Sequence, residues 1–203
     1  AARAIDGWTP LHATCSKGHV SVAKVLLDAG AAVDAATTDD GSRPLYWACS
    51  GGHVDVVRML LAAGAVVNAV KTDDGSSALH EACREGGVVR ELLVAGAAVD
   101  AVWSDLRWTP LHVACNEGHG DVVKELLTGG AITSISTPRA GVPFLGIIGA
   151  ATARDIAVNR GHDAVAALLE EAERVPDLYP TRSNGVRVAF LWTYWCRWCD
   201  LCV

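Results

Sequence analysis

Apolar residues along the chain follow a helical spacing in pairs of short segments. In the first pair, Leu11 and Cys15 stand four positions apart, as do Val22 and Leu26. That spacing places each couple on one face of a helix. Gly18 lies between the two segments and suits the left-handed conformation that commonly ends a helix. The pattern predicts a helix–turn–helix unit whose helices are each too short to be stable alone in water.

The same unit recurs along most of the chain. Copies begin at Thr9, Arg43, Ser77 and Thr109, and a degenerate fifth copy begins at Thr152. Ser or Thr is a favoured N-cap, and Pro at the next position has no N–H that the helix needs. Because each short helix pair must bury its apolar face on a neighbour, the recurrence predicts an all-α stack of five units. Residues 1–175 therefore form one repeat domain.

The repeated motif resembles that of ankyrin repeats. Thr9-Pro10-Leu11-His12 and Thr109-Pro110-Leu111-His112 match the T-P-L-H signature, Gly-His follows in four copies, and Gly-Ala closes four. The resemblance covers about residues 5–172 and implies an ankyrin-repeat solenoid with hairpin-like loops between the helix pairs. It also implies a protein–protein interaction module without catalysis, in which the histidines are hydrogen-bonding staples.

The resemblance further implies a concave binding groove, formed by the turn tips and the exposed side of each first helix. Trp8 and Trp108 stand two residues before a proline, where each ring either contacts a partner or packs on a neighbouring loop. Trp47 fills a slot held by Ala13, Glu81 and Val113 in other copies, so packing does not require a ring there. The candidate contact residues, carried over by position, are Trp8, Ser16, Lys17, Asp39, Asp40, Ser42, Trp47, Ser50, Asp73, Asp74, Ser76, Glu81, Arg84, Glu85, Leu106, Trp108, Asn116 and Glu117.

The net charge of the chain bears on which kind of molecule it binds. The 203 residues include 17 Lys and Arg against 23 Asp and Glu, a net charge of −6. A nucleic-acid or anionic-membrane binder needs a basic stripe, which this balance disfavours. The acidic tips at Asp39-Asp40 and Asp73-Asp74 favour a protein partner with a basic patch. We expect a monomer that binds such a protein.

Four of the seven cysteines fill the same slot in the first helix of a copy. These are Cys15, Cys49, Cys83 and Cys115. Buried cysteine packs as a small hydrophobe, and successive copies should lie about 10 Å apart, the spacing of packed helices. That separation is too great for a disulfide. Free thiols indicate a reducing compartment, so we expect an intracellular protein, cytoplasmic or nuclear.

Catalytic and cofactor motifs are not found in the sequence. It contains no G-x-x-x-x-G-K-[ST], G-x-S-x-G, H-E-x-x-H or kinase signature. Asp39-Asp40-Gly41 and Asp73-Asp74-Gly75 indicate turns, because Asp and Gly are typical turn residues. We therefore expect no enzyme activity, no cofactor and no metal site in the repeats.

Three departures from the repeat are visible. The third copy lacks two residues at the start of its second helix and has Gly87 in place of the Gly-His histidine, which predicts a short helix and a weak interface. Arg107 replaces the turn glycine of the other copies, where a left-handed conformation would strain it. Nine extra residues within about 136–148 either pack back on the stack or form a partner-contacting finger.

The two ends of the stack differ in polarity. The fifth copy carries charged residues where a capping repeat needs them, whereas the first copy has the apolar pattern of an internal one. We therefore expect a further repeat upstream of Ala1. An alternative function follows from the same observation: the chain is a regulatory or targeting segment of a larger enzyme or channel.

Residues 176–203 form a linker and an apolar tail rich in Trp and Cys. Locally, Trp195-Cys196-Arg197-Trp198-Cys199 resembles the W-C-x-x-C of thioredoxin-like domains, which implies that Cys196 attacks and Cys199 resolves. Trp198 departs from that pattern, since the family usually has Pro there. Alternatively, the three cysteines through Cys202 bind a metal, the tail contacts a partner or membrane, or it is truncated and has no function.

Overall fold

The computed structural model describes residues 6–103, 107–137 and 150–175. In this part of the chain ten α-helices follow one another in five pairs: α1 (Pro10–Lys17), α2 (Val20–Asp28), α3 (Pro44–Ser50), α4 (Val54–Ala62), α5 (Ala78–Glu85), α6 (Val89–Val94), α7 (Pro110–Glu117), α8 (Gly120–Thr128), α9 (Ala153–Asn159) and α10 (Asp163–Arg174). Extended structure in the described residues is confined to isolated bridges in the loops, such as the one between Trp103 and Trp108. The prediction of an all-α stack of helix pairs is confirmed.

The first helices begin as their sequence predicts. The Thr9 side chain accepts a hydrogen bond from the backbone N–H of His12, and the His12 ring Nδ1 accepts one from the Thr9 N–H at 3.1 Å. Pro10 occupies the first helical position, where no N–H is needed. Gly18 ends α1 with φ of 71°, and a Cβ there would lie 2.5 Å from Nδ1 of His53. Glycine is thus required at this site by both backbone conformation and space.

Helices of successive units pack side by side. The first helices contact each other in the order α1, α3, α5, α7 and α9, and the second helices in the order α2, α4, α6, α8 and α10. The core runs along the stack and contains the four repeated cysteines, all fully buried and unpaired. Burial raises the pKa of the Cys15 and Cys115 thiols to about 12. The predicted burial of these cysteines is confirmed.

Histidines join most neighbouring units by hydrogen bonds to backbone carbonyls, and the second and third units, with Tyr46 and Gly87 in the histidine slots, are joined without one among the described residues. In the first helix, His12 Nε2 donates to the carbonyl of Ser42 at 3.3 Å, and His80 Nε2 donates to that of Trp108 at 3.2 Å. The Gly-His histidines reach in the opposite direction, to the preceding unit; these bonds are His53 to Ser16 at 3.3 Å, His119 to Arg84 at 3.0 Å and His162 to Asn116 at 3.1 Å. The predicted role of these histidines as staples is confirmed.

The third unit is shortened as expected. Helix α6 has six residues, whereas α2, α4 and α8 have nine. Val88 precedes α6 with φ of 54°, a left-handed conformation that is rare for a β-branched residue. A groove of about 350 Å³ separates α6 from α8, lined by Gly87, Val89 and Val122 among others. Among the described residues, no side chain fills the space that a longer α6 would occupy.

Candidate partner-binding surface

Three half-buried aromatic side chains meet where the first two units join. We call Trp8, Tyr46 and Trp47 the aromatic patch. The Trp8 and Trp47 rings meet edge to face, with centroids 4.8 Å apart and planes at 68°. Tyr46 and Trp47 adopt the same arrangement at 5.8 Å and 80°. Edge-to-face contacts of this kind add to the stabilisation from burial, so the patch is fixed in position while part of it stays accessible to solvent.

Hydrogen bonds hold the Trp47 indole and the Trp8 backbone in place. Trp47 lies on α3, and its Nε1–H donates to the Ser42 hydroxyl at 2.9 Å. Trp8 precedes α1, and its backbone N–H donates to the Asp6 carboxylate at 3.0 Å. The corresponding slot of Trp47 is filled by Ala13 in the first unit and by a buried Val113 in the fourth. A ring at position 47 is therefore not a requirement of the repeat.

The turn tip beside the patch is acidic and tightly held. The Asp40 carboxylate accepts hydrogen bonds from the Thr37 hydroxyl at 2.6 Å and the Ser42 N–H at 2.9 Å, and it pairs with Lys71 Nζ at 3.0 Å. Burial acts to raise the pKa of Asp40, but these hydrogen bonds outweigh it and hold the pKa well below its usual value. Asp40 therefore stays negatively charged and cannot turn toward a partner without losing those bonds.

The next tip repeats this arrangement one unit along. Asp74 accepts a hydrogen bond from the Ser76 N–H at 2.8 Å, and Lys71 Nζ pairs with Asp73 at 3.2 Å. Asp39 and Asp73 remain exposed, so each tip presents one carboxylate to solvent. Lys71 also lies over the Tyr46 ring at 5.4 Å, within the range of a cation–π contact. One lysine thus neutralises part of a group of four aspartates.

Glu81 ties the aromatic patch to the third unit. Its carboxylate is buried, accepts a hydrogen bond from the Tyr46 hydroxyl at 3.0 Å, and forms an ion pair with Arg84. A buried carboxylate that keeps two partners is a structural support, because removing either partner would leave the charge unsatisfied. Glu81 fixes the outer edge of the patch and is not itself open to a partner.

The predicted contact residues fall into groups by exposure. Exposed residues are Lys17, Asp39, Asp73, Arg84, Glu85 and Glu117. Half-buried residues are Trp8, Ser16, Asp40, Trp47, Ser50, Asp74 and Asn116. Buried residues are Ser42, Ser76, Glu81 and Trp108. Leu106 lies outside the described residues.

Four of the predicted contact residues have buried side chains in this structure. Ser42 and Ser76 are enclosed in their turns, and Glu81 is covered by Tyr46 and Arg84. Trp108 is 5% exposed and packs against Trp103, with ring centroids 6.2 Å apart. Trp103 lies beside it, and the two residues exchange paired backbone hydrogen bonds. The predicted contact residues that stay accessible to solvent lie on the tips and helices of the first three units, with Asn116 and Glu117 in the fourth.

One residue of the patch was missed in the sequence. Tyr46 stands in the histidine slot of the T-P-L-H motif, and a slot that holds a staple elsewhere gave no reason to place its side chain at the surface. The usable signal was Glu81, one period further on, since a carboxylate in an otherwise apolar slot needs a hydrogen-bond donor nearby. Tyr46 supplies that donor.

The family model described as ankyrin repeats (3 copies) matches residues 1–71 and 63–136. The chain belongs to the ankyrin repeat family. Ankyrin repeats are protein–protein interaction modules, which fits a surface of fixed aromatic and acidic side chains better than a cavity for a small molecule. No curated protein matches this ankyrin repeat chain.

The described residues bear on the metal-binding and membrane-contact alternatives. Within residues 6–103, 107–137 and 150–175, no group of three or more His, Cys, Asp or Glu side chains could hold a metal ion. No helix in that part is long and apolar enough to cross a membrane. The tail with Cys196, Cys199 and Cys202, and the insertion beyond Thr137, lie outside the described residues.

Proposed function

We propose that this ankyrin repeat chain binds a segment of another protein through the aromatic patch and the acidic tips of its second and third units. The edge-to-face packing of Trp47 on Trp8 is the observation that carries the proposal. It holds a large ring at the surface in a slot that other units fill with Ala13, Glu81 or Val113, so the repeat does not require an aromatic side chain there. Fixed aromatic side chains are typical hot spots, because they lose little conformational entropy on binding.

The charge beside the patch supports a basic partner. Asp39 and Asp73 are exposed, Asp40 and Asp74 stay ionised, and Lys71 is already engaged between two of these carboxylates. An arginine or lysine side chain would meet both the carboxylates and an indole face, which attract cations by charge and by the ring quadrupole. The partner segment is therefore one that alternates basic and apolar side chains. The four unpaired thiols support an intracellular, reducing setting for this module.

Selection from a phage-displayed library of random 12-residue peptides, with the 203-residue chain immobilised, tests this proposal. Enriched peptides should carry Lys or Arg beside apolar residues. Trp47→Ala should weaken their binding, measured by fluorescence polarisation, by about 30-fold, equivalent to about 2 kcal/mol. Val94→Ala, a change at an exposed residue of a second helix, serves as the matched control. Enriched peptides without basic residues, or full binding by a folded Trp47→Ala variant, would contradict the proposal.

A further inference from the structure

Lys71 bridges two acidic turn tips with a side chain that is only 14% exposed. Its Nζ lies 3.0 Å from the Asp40 carboxylate and 3.2 Å from that of Asp73. The same Nζ lies over the ring of Tyr46, 5.4 Å from the centroid. Burial acts to lower the pKa of Lys71, but the hydrogen bonds to both aspartates outweigh it and raise the pKa above its usual value. The three surrounding side chains therefore hold the ammonium in its charged form.

The repeat itself does not require a lysine at this position. The corresponding residues of other units are Thr37, Trp103 and Thr137. In each of these units the backbone N–H at this position closes the turn, as that of Lys71 does by donating to the Ser76 carbonyl at 2.8 Å. The fold therefore uses the backbone at this position and does not specify the side chain.

The two tips are also joined without the lysine side chain. The backbone N–H of Thr72 donates to the Asp40 carbonyl at 2.8 Å. One unit earlier, the N–H of Thr38 donates to the Asp6 carbonyl at 2.9 Å, although a threonine stands there in place of the lysine. The ammonium can therefore leave its position without separating the tips.

The carboxylate oxygens around the ammonium suit a lysine better than an arginine. On Asp40 and Asp73, Oδ1 already accepts a backbone N–H, from Ser42 at 2.9 Å and from Asp74 at 2.8 Å. The cation is paired with Oδ2 of each carboxylate. An ammonium is a compact charge whose three donors can reach separate oxygens, whereas a guanidinium is a planar fork that pairs best with both oxygens of one carboxylate. The arrangement therefore favours a lysine.

We propose that Asp40, Asp73 and Tyr46 form an ammonium subsite, which Lys71 fills in the free protein and a lysine of the bound segment fills in the complex. The inference rests on the proposed function, because the subsite adjoins the aromatic patch through Tyr46. One ammonium replaces another, so the charge balance of the tips is kept, and Asp73 is 48% exposed, which gives the incoming group a route. Lys71 is then a specificity-determining residue, since it competes with the bound segment.

A titration with n-butylammonium chloride, which reproduces the end of a lysine side chain, tests the subsite without any partner. The Lys71→Thr variant carries the threonine of the first and fourth units and leaves the subsite empty. Its amide signals from Ser42 and Asp74, which donate to the two carboxylates, should shift saturably in NMR spectra at constant ionic strength. n-Propylguanidinium should bind more weakly, because neither carboxylate offers it both oxygens.

Two further variants serve as controls for the titration. Lys24→Thr removes the same charge from an exposed residue of α2 and should show no saturable shift, because its subsite stays filled. Lys71→Ala should respond as Lys71→Thr does, so that the result does not depend on the new hydroxyl. Absence of a saturable shift in both Lys71 variants, each shown to be folded by circular dichroism, would overturn the proposal.

The exchange of one lysine for another is tested with the lysine-containing peptides from the library selection. Lys71→Thr should bind them about fivefold more tightly than the original chain, the upper range for a partly exposed ion pair. Replacing the peptide lysine by arginine should remove that gain. Equal affinity of the two chains, or enrichment of arginine alone, would overturn this inference and leave the proposed function intact. A selection without basic peptides would count against the proposed function, and the titration would still decide the subsite.

Discussion

The indole of Trp108 lies over the imidazole of His112, with ring centroids 6.4 Å apart and planes inclined by 29°. The Trp103 and Trp108 rings meet edge to face, with planes at 81°. The Trp108 carbonyl accepts a hydrogen bond from His80 Nε2. Trp108 therefore joins the third and fourth units at the base of a loop, and its contribution is to stability.

Trp108→Ala should lower the free energy of unfolding by about 3 kcal/mol, the usual cost of removing a buried aromatic ring. Trp47→Ala removes the same ring from a half-buried site and should cost less. Urea denaturation followed by circular dichroism compares the two variants. If Trp47→Ala proves the more destabilising change, the aromatic patch is part of the core and not a contact surface.

Arg107→Gly should stabilise the protein. Arg107 is exposed and has φ of 53°, whereas the equivalent residues Gly7, Gly41 and Gly75 adopt positive φ without a Cβ. Relief of that conformation is worth about 1 kcal/mol. Arg107→Ala removes the same charge but keeps the Cβ, so it should give no gain. A glycine variant no more stable than the alanine variant in thermal denaturation would show that the turn is unstrained.

Local features of the fold could be predicted from the sequence because neighbours along the chain determine them. The Thr9 cap, the glycine turn at Gly18 and the short α6 all follow from residues a few positions apart. The exposure of Trp108 and Glu81 could not be predicted in this way. Tyr46 covers Glu81 from 35 positions away, and Trp108 is covered by the ring of Trp103, with which it exchanges backbone hydrogen bonds. Burial at these sites depends on contacts with residues far along the chain, at positions where the repeat motif does not specify the side chain.

Acid should destabilise the stack through its buried histidines. Burial lowers the pKa of His80 and His112 to about 4, against 6.5 for a solvated histidine. The unfolded chain therefore takes up protons below about pH 6.5 while the folded chain does not, and the free energy of unfolding falls as the pH drops from 6.5 to 4. At about 1.4 kcal/mol per pKa unit, each histidine contributes on the order of 3 kcal/mol.

The cause can be isolated by substitution. In the neutral form, Nδ1 of His80 accepts the Ser77 N–H and Nδ1 of His112 accepts the Thr109 N–H. Glutamine offers an acceptor that does not titrate, so His80→Gln with His112→Gln should flatten the stability profile between pH 4 and 6.5. The pKa values of Asp40 and Asp74 are lowered in the folded protein. The stability that these ionised carboxylates contribute is therefore lost only at lower pH, where they become protonated. An unchanged slope in the double variant would assign the acid sensitivity to other groups.

Helix α6 should be the weakest point of the stack. It is three residues shorter than α4 and α8, and a left-handed Val88 precedes it. Gly87 also leaves the third unit without the histidine that staples its neighbours. Because each unit contacts only adjacent ones, a weak interface lets the two ends unfold separately. Amide exchange should be faster in Val89–Val94 than in Val54–Ala62 or Gly120–Thr128, and equal protection would contradict this.

Restoring the lost turn, with Gly87→His and Val-Asp inserted after it as in the second unit, should slow exchange in α6 and raise the thermal midpoint.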